Sequence, residues 1–309
     1  MVSVRHGVAL LTAALTAVPM VGLVAGCSDD PPAPRAAPAT PTPTVAASYD
    51  GDLEPAAAVL ALVPDEAETL TVTDFDQVRK ELGLDELGDQ SPPADIASFW
   101  QRAETELPLL TTGMLRPAEG RLASSYGFTE LDVAWEAHFF GSDGQELGWV
   151  LRFRDGVDLA EVQAATQDAT SPVNGAEVDA AERLVSSGAT GDPAQSWAAD
   201  PELRALVGPA ANSTYVARTC DPEAGSGDVD ELGAYSVQFE GSLVTARLGA
   251  GRQDLFTRMR LGESDPAVAA AYGGGVADPV TGRIGYVMTD PAAAAQLALA
   301  RRLPFATCP

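Results

Sequence analysis

Glu136 and His138, two apart in the run VAWEAHFF (133–140), are the residues whose types and spacing come nearest to chemistry. In a strand, alternate side chains share a face. Glu136 and His138 would stand together there, opposite Val133, Trp135, Ala137 and Phe139. A carboxylate that orients an imidazole is how a general base is built. Nothing else in the chain completes the arrangement: no G-x-S-x-G elbow occurs, and two polar residues on the solvent face of a strand are an ordinary pattern. No catalytic residue is assigned. The only other histidine is His6, in an apolar leader, so a zinc site of two or three histidines cannot be assembled and no metal is expected.

Other candidate sites fare little better. Lys80 follows no glycine-rich loop, and Gly249-Ala250-Gly251 is followed by Asp254 where a dinucleotide loop needs its third glycine. Gly273-Gly274-Gly275 reads as a flexible connection. The acidic stretch Asp221, Glu223, Asp228, Asp230, Glu231 invites a hard cation. Counted from Asp228, however, Leu232 and Phe239 occupy the fifth and twelfth positions of a calcium loop. No cofactor is expected. Carboxylates paired across distant parts of the chain are the one enzymatic chemistry the inventory permits.

The cysteines carry more information. Residues 1–6 hold Arg5, residues 7–26 hold no ionisable side chain, and the run ends in Leu23-Val24-Ala25-Gly26-Cys27. A basic start, an apolar stretch and small residues are the layout of an export signal. Leu23 to Cys27 resembles the lipobox of bacterial lipoproteins, which implies cleavage before Cys27, acylation of that cysteine with palmitate or a similar chain, and a cell-membrane anchor on the extracytoplasmic face. Residues 28–48 (SDDPPAPRAAPATPTPTVAAS) are rich in Pro, Ala and Thr and read as a stiff spacer. Cys220 and Cys308 then remain, 88 residues apart. Outside the cytoplasm a disulfide is the expected pairing, with two free thiols or a metal site as rivals.

Charge excludes further classes. Asp and Glu number 44 against 19 Lys and Arg, a net charge of −25, and removing the leader takes away only the positive charge of Arg5. Such a body repels phosphate backbones and anionic head groups, so nucleic-acid partners and polybasic membrane docking are not expected. The membrane is met through the lipid alone.

The elements that must position these residues show one recurring pattern: a β-like run, an aspartate, then an amphipathic helix. It occurs at Leu70–Thr73 with Asp74, at Gly148–Phe153 with Asp158 (Glu161 completing a capping box), at Leu243–Leu248 with Asp254, and at Ile284–Thr289 with Asp290 and Pro291. Further strands are read at 133–140, 183–187, 214–218 and 235–239, with helices at 96–107, 117–125 and 201–208. Residues 69–187 give the order βαββαβ and residues 213–300 give βββαβα. Val72-Thr73-Asp74 and Met288-Thr289-Asp290 hint at a duplication. The expected fold is α+β, an antiparallel sheet with helices on one side, in two halves or one layer. The domain plan is signal peptide 1–26, linker 27–48 and body 49–309, divisible into 49–208 and 209–309.

This layout, with Val63-Pro64-Asp65 early and Leu184-Val185-Ser186-Ser187 late, resembles exported lipoproteins of actinobacteria for which we know no activity. The expected function is a membrane-anchored cell-envelope binding or scaffold module, leaning away from an enzyme, its protein or small-molecule partner unspecified. A carrier of an apolar or lipid ligand and a carboxylate-dependent hydrolase are the alternatives.

Overall fold

The computed structural model describes residues 48–88, 90–226 and 228–309, with 223–226 described by backbone alone. Cys27, the leader and the spacer up to residue 47 lie outside the described residues, and so does the side chain of Glu223. Among the described residues no helix is long and apolar enough to cross a membrane.

The short helix α1 (Pro55–Ala58) and a 3₁₀ turn (Val59–Ala61) precede β1 (Thr69–Asp74), α2 (Phe75–Glu81), α3 (Pro93–Glu106) and α4 (Glu119–Tyr126). The hairpin β2 (Val133–Phe140) and β3 (Glu146–Phe153) leads into α5 (Leu159–Ala165), β4 (Glu177–Asp179), β5 (Leu184–Ser187) and α6 (Pro201–Leu206). The chain continues through β6 (Ser213–Ala217), β7 (Asp221–Ser226), β8 (Tyr235–Glu240) and β9 (Leu243–Arg247). It ends with α7 (Leu255–Ser264), α8 (Pro266–Ala271), β10 (Tyr272–Asp278), β11 (Arg283–Met288), α9 (Pro291–Leu299) and β12 (Thr307–Cys308).

Ten strands form one antiparallel sheet in the order β10-β11-β9-β8-β6-β1-β2-β3-β5-β4, so the fold is α+β. The two halves meet as one layer, β1 against β6, with Thr71 opposite Tyr215. About that pair the topology has an internal two-fold: β1, β2, β3, β4 and β5 correspond to β6, β8, β9, β10 and β11. The correspondence places residue 72 against residue 216, not 288, because Met288 lies in β11 and Val72 in β1. The matching tripeptides therefore sit at unrelated positions.

Two elements differ from expectation. Gly273, Gly274 and Gly275 lie within β10, with a register shift between Gly273 and Val276, and are not a loose connection. β4 is an edge strand of three residues. Both outer strands lack the apolar alternation that marks a strand in sequence, as edge strands often do. Restoring them turns the apparently permuted second half into a match for the first.

Helix starts follow the aspartates for the most part. Asp74 accepts from the Gln77 amide at 2.9 Å and Asp290 from the Ala293 amide at 3.0 Å, with Pro291 in the first turn. Asp158 accepts from the Ala160 amide instead of forming a box with Glu161, and α5 stops at Ala165. Asp254 does not cap α7, because its carboxylate is held by Arg252 and Arg258.

The core lies on both faces. One face is covered along its length: α2 to α5 pack on it through Phe75, Phe99, Leu122 and Val162, and α7 to α9 through Leu255, Val268 and Ala298. The opposite face is not bare. Over the first half, α1, the turn after it, Trp197 and α6 bury Leu70, Val72, Phe139, Val150 and Leu184. Helices on one side describes only the longer ones.

Candidate functional site

The strand pair singled out by sequence is real, but its face is not solvent. Glu136 on β2 is fully buried beneath the loop that joins α3 to α4. That loop is fastened to the sheet by its own polar groups. Thr111 donates its hydroxyl to Glu136 Oε1 at 2.5 Å, and the Met114 amide donates to Oε2 at 3.0 Å. Leu110 and Thr111 amides donate to the hydroxyl of Thr73 on β1, each at 3.2 Å. A strand face that pairs Thr73 with Glu136 thus serves as a socket for the loop.

His138 completes the cluster from the rim. Its Nε2 lies 2.6 Å from Glu136 Oε1 and its Nδ1 2.5 Å from Glu146 Oε1 on β3. Burial works against the imidazolium, yet the two carboxylates hold its pKa up at about 9. At neutral pH both ring nitrogens donate, so neither can take a proton from a substrate. A general base needs a free lone pair, and here none is on offer.

A third carboxyl, overlooked in the sequence, lies below. Glu130, in the 3₁₀ turn before β2, is fully buried, and its Oε2 accepts from the Leu115 amide at 2.7 Å. Burial and the neighbouring Glu136 charge raise its pKa well above the usual carboxyl range. Burial would raise Glu136 too, but His138, Thr111 and the Met114 amide together hold it below the usual value. The pair therefore carries one proton, on Glu130, whose Oε1 has no hydrogen-bond partner within the described residues. Gly113 passes so close to Glu130 that a Cβ there would lie 2.6 Å from its Cγ, and its φ of +94° also requires glycine. Glu130 gives no periodic or motif signal beyond Thr129 and Asp132, which form the capping box of its turn.

The acidic stretch is dismantled by its surroundings. Asp221 is buried, accepts from the Tyr235 hydroxyl at 2.5 Å, and lies 3.5 Å from Arg301 Nε. Asp230 and Glu231 contribute backbone carbonyls, which accept from Arg252, and the Asp230 carbonyl also from Arg258. Asp254, beside them, loses by burial but gains more from Arg252 and Arg258, which bring its pKa down to about 2. Among the described residues no group of three metal-binding side chains is gathered.

Cys220 and Cys308 are joined, with S–S 1.98 Å and Cα–Cα 5.1 Å. The bridge ties the last strand to β7, and the fully buried Arg258 reinforces it by donating to the Phe305 and Thr307 carbonyls at 3.1 and 2.9 Å.

Two clefts lie away from Glu136 and His138, and the second borders the acidic stretch through Arg252. One of about 460 Å³ lies where Asp74, Asp76, Trp135, Arg152 and Arg154 meet at the end of β1 to β3. Burial raises the Asp74 pKa to about 6. The other, of about 430 Å³, lies between α6, the start of β8, the loop after β9 and the turn before β11, lined by Arg247, Arg252 and Arg283 with Glu202. Neither includes Glu130, Glu136 or His138. Comparison with known protein families, with curated proteins and with solved structures finds no match to the chain.

Proposed function

We propose that the chain is a lipid-anchored module of the cell envelope that works by non-covalent binding. In this reading Cys27 carries the lipid, residues 28–48 hold the body off the membrane, and the sheet presents its clefts on the extracytoplasmic side. The observation that carries the binding half is the state of His138. Its ring is clamped between Glu136 and Glu146, away from both clefts, while the clefts themselves are lined by charged side chains. The Cys220–Cys308 bridge supports an oxidising compartment.

Cys27 gives the test. Radiolabelled palmitate should enter the wild-type chain and fail to enter Cys27→Ala, and the wild type should fractionate with membranes. Recovery of the native protein from the cytosol with residues 1–26 attached would overturn the reading.

One observation favours a second reading, carboxylate-dependent hydrolysis: Glu130 and Glu136 differ in protonation as an acid and its partner must. Substrate could reach them only if residues 107–115 lifted off Thr73 and Glu136. A Glu136→Gln variant that folds yet loses a cell-wall glycan hydrolase activity shown by the wild type would establish it.

A further inference from the structure

We propose that the cleft between α6 and the β9–β11 end of the sheet binds a small ligand bearing a carboxylate or phosphate, gripped by Arg247 and Arg283. These arginines are direct register partners on β9 and β11 and project from the same face. Like charges in that relation repel, and a buried cation is costly unless neutralised. Yet among the described residues neither makes an ion pair with a carboxylate within 4 Å. Arg247 is only 8% exposed, and its one hydrogen bond within the described residues runs from Nε to Gln238 Oε1 at 2.9 Å. No acceptor within the described residues takes a hydrogen bond from its terminal nitrogens, and the residue lines the cleft.

The other deeply buried arginines are treated differently. Arg79 donates to Asp76 and to two backbone carbonyls, and Arg258 to Asp254 and three carbonyls. Arg283 has Asp278 as its register partner on β10 and feels that charge, but Arg247 has no carboxylate beside it. In a chain of net charge −25, a buried arginine kept that way points to an acceptor that arrives from outside. Burial and the neighbouring Arg283 charge both lower the Arg247 pKa, the direction an incoming anion would reverse.

The grip is built before any ligand arrives. Gly208 leaves room for the Arg247 guanidinium, since a Cβ there would lie 2.2 Å from Nη2. The two rims are bound together: the Leu248 amide donates to Gly282 at 2.8 Å and the Gly251 amide to Pro279 at 3.1 Å. Leu206 and Ala250 give the cleft apolar walls, so the fitting ligand pairs one oxyanion with a short apolar body. Glu202 at its edge disfavours a second anionic group on that side.

This inference rests on the binding reading and not on the anchor. Isothermal titration of the detergent-solubilised full chain would use inorganic phosphate and, separately, succinate at constant ionic strength, with chloride as reference. At least one probe should bind saturably at one site, and Arg283→Ala, on an exposed residue, should weaken it at least ten-fold. Arg247→Met should remove it. Near-UV circular dichroism checks the fold, and Arg283→Ala alone decides if Arg247→Met unfolds. Phosphate binding without succinate, or the reverse, names the headgroup. Absence of saturation with both probes, or unchanged affinity in Arg283→Ala, would overturn the site. Palmitate on Cys27 would then still stand or fall by itself.

Discussion

In the first half of the sheet, the face away from the long helices buries Ala137, Phe139 and Val150 under α1, Trp197 and α6. The two-fold carries those three positions onto Ser236, Gln238 and Arg247 in the second half. There the cover thins to the end of α6 and residues 206–209, which accept from Ser236 and Gln238, and beyond them Leu243 and Val287 are exposed. The same strand plan is thus closed on two faces in one half, whereas in the other the second face is closed only as far as Ser236, Gln238 and Arg247 and open beyond them. What separates them is side-chain chemistry, since the antiparallel register is shared. The half left open carries the charged cleft.

A similar contrast runs across the covered face. Glu136 and Tyr235 are equivalent positions, each buried, each tying the excursion between the first two strands of its half to the sheet. The first uses Thr111 and Met114 of the α3–α4 loop; the second uses Asp221 at the start of β7. One latch holds a carboxylate with an imidazolium behind it, the other a phenol on a carboxylate. They should answer differently to pH.

The largest effect should come from exchanging the equivalent pair. Val150→Arg would place a guanidinium with no acceptor in a fully buried position and should cost more than ~4 kcal/mol, a large share of an ordinary domain's stability. Arg247→Val removes a cation held by one hydrogen bond and should change stability by less than ~1.5 kcal/mol in either direction. Urea unfolding of both would decide. Similar losses from the two would mean that the open face of the second half is as much core as its counterpart.

Covering groups offer the next comparison. Trp197 is fully buried over the first half, and Trp197→Ala should lose about 3–5 kcal/mol. Leu243, 53% exposed on the second half, should lose no more than ~0.5 kcal/mol as Leu243→Ala. Denaturation midpoints at constant m-value measure both. The C-terminal bridge belongs to the second half alone: it closes a loop spanning 88 residues, and Cys308→Ser should cost about 2–4 kcal/mol, with hydrogen exchange rising first at residues 303–309.

Much of this contrast could be read from the chain, though unevenly. The inner strands and the aspartates at Asp74 and Asp290 announced themselves because apolar alternation and capping are local properties. β4 and β10 did not, since an edge strand of three residues or one with three glycines has no period to detect. The cysteine pair followed from counting. The meaning of Glu136 and His138 did not follow from their spacing, because the face they share is closed by a loop from residues 107–115, and such a contact leaves no mark in either segment. Glu130 was invisible for the same reason. Arg247 and Arg283 share a face only through a pairing of β9 with β11, strands separated by two helices and another strand. That Arg247 has no carboxylate within reach, while Arg283 has Asp278 across the strand pair, is a fact of three dimensions.

The smallest effect, and the sharpest on the latches, is the pH response. The folded His138 pKa of about 9 lies above its unfolded value of 6.5, so its stabilisation is complete below pH 6.5 and fades as pH rises through 9. The full linkage is on the order of 3 kcal/mol, and about half of it is lost between pH 7 and 8.5. Glu130 acts in the same direction: its raised pKa makes the folded state prefer the protonated carboxyl, so this preference also weakens as pH rises above the ordinary carboxyl range. In the second half, the Tyr235 phenol is raised well above its ordinary value by burial, so its latch should stay protonated throughout that interval. Urea melts of the wild type should therefore weaken by ~2 kcal/mol between pH 7 and 8.5, and His138→Gln should flatten that slope. An imidazole that titrates near 6.5 by NMR would mean that the Glu136–His138–Glu146 clamp is not held in solution. Hydrogen exchange at residues 110–115 should accelerate with the same pH midpoint, while residues around Asp221 and Tyr235 remain protected. If both excursions loosened together, the two latches would be one cooperative unit, and the independence of the halves on this face would be lost.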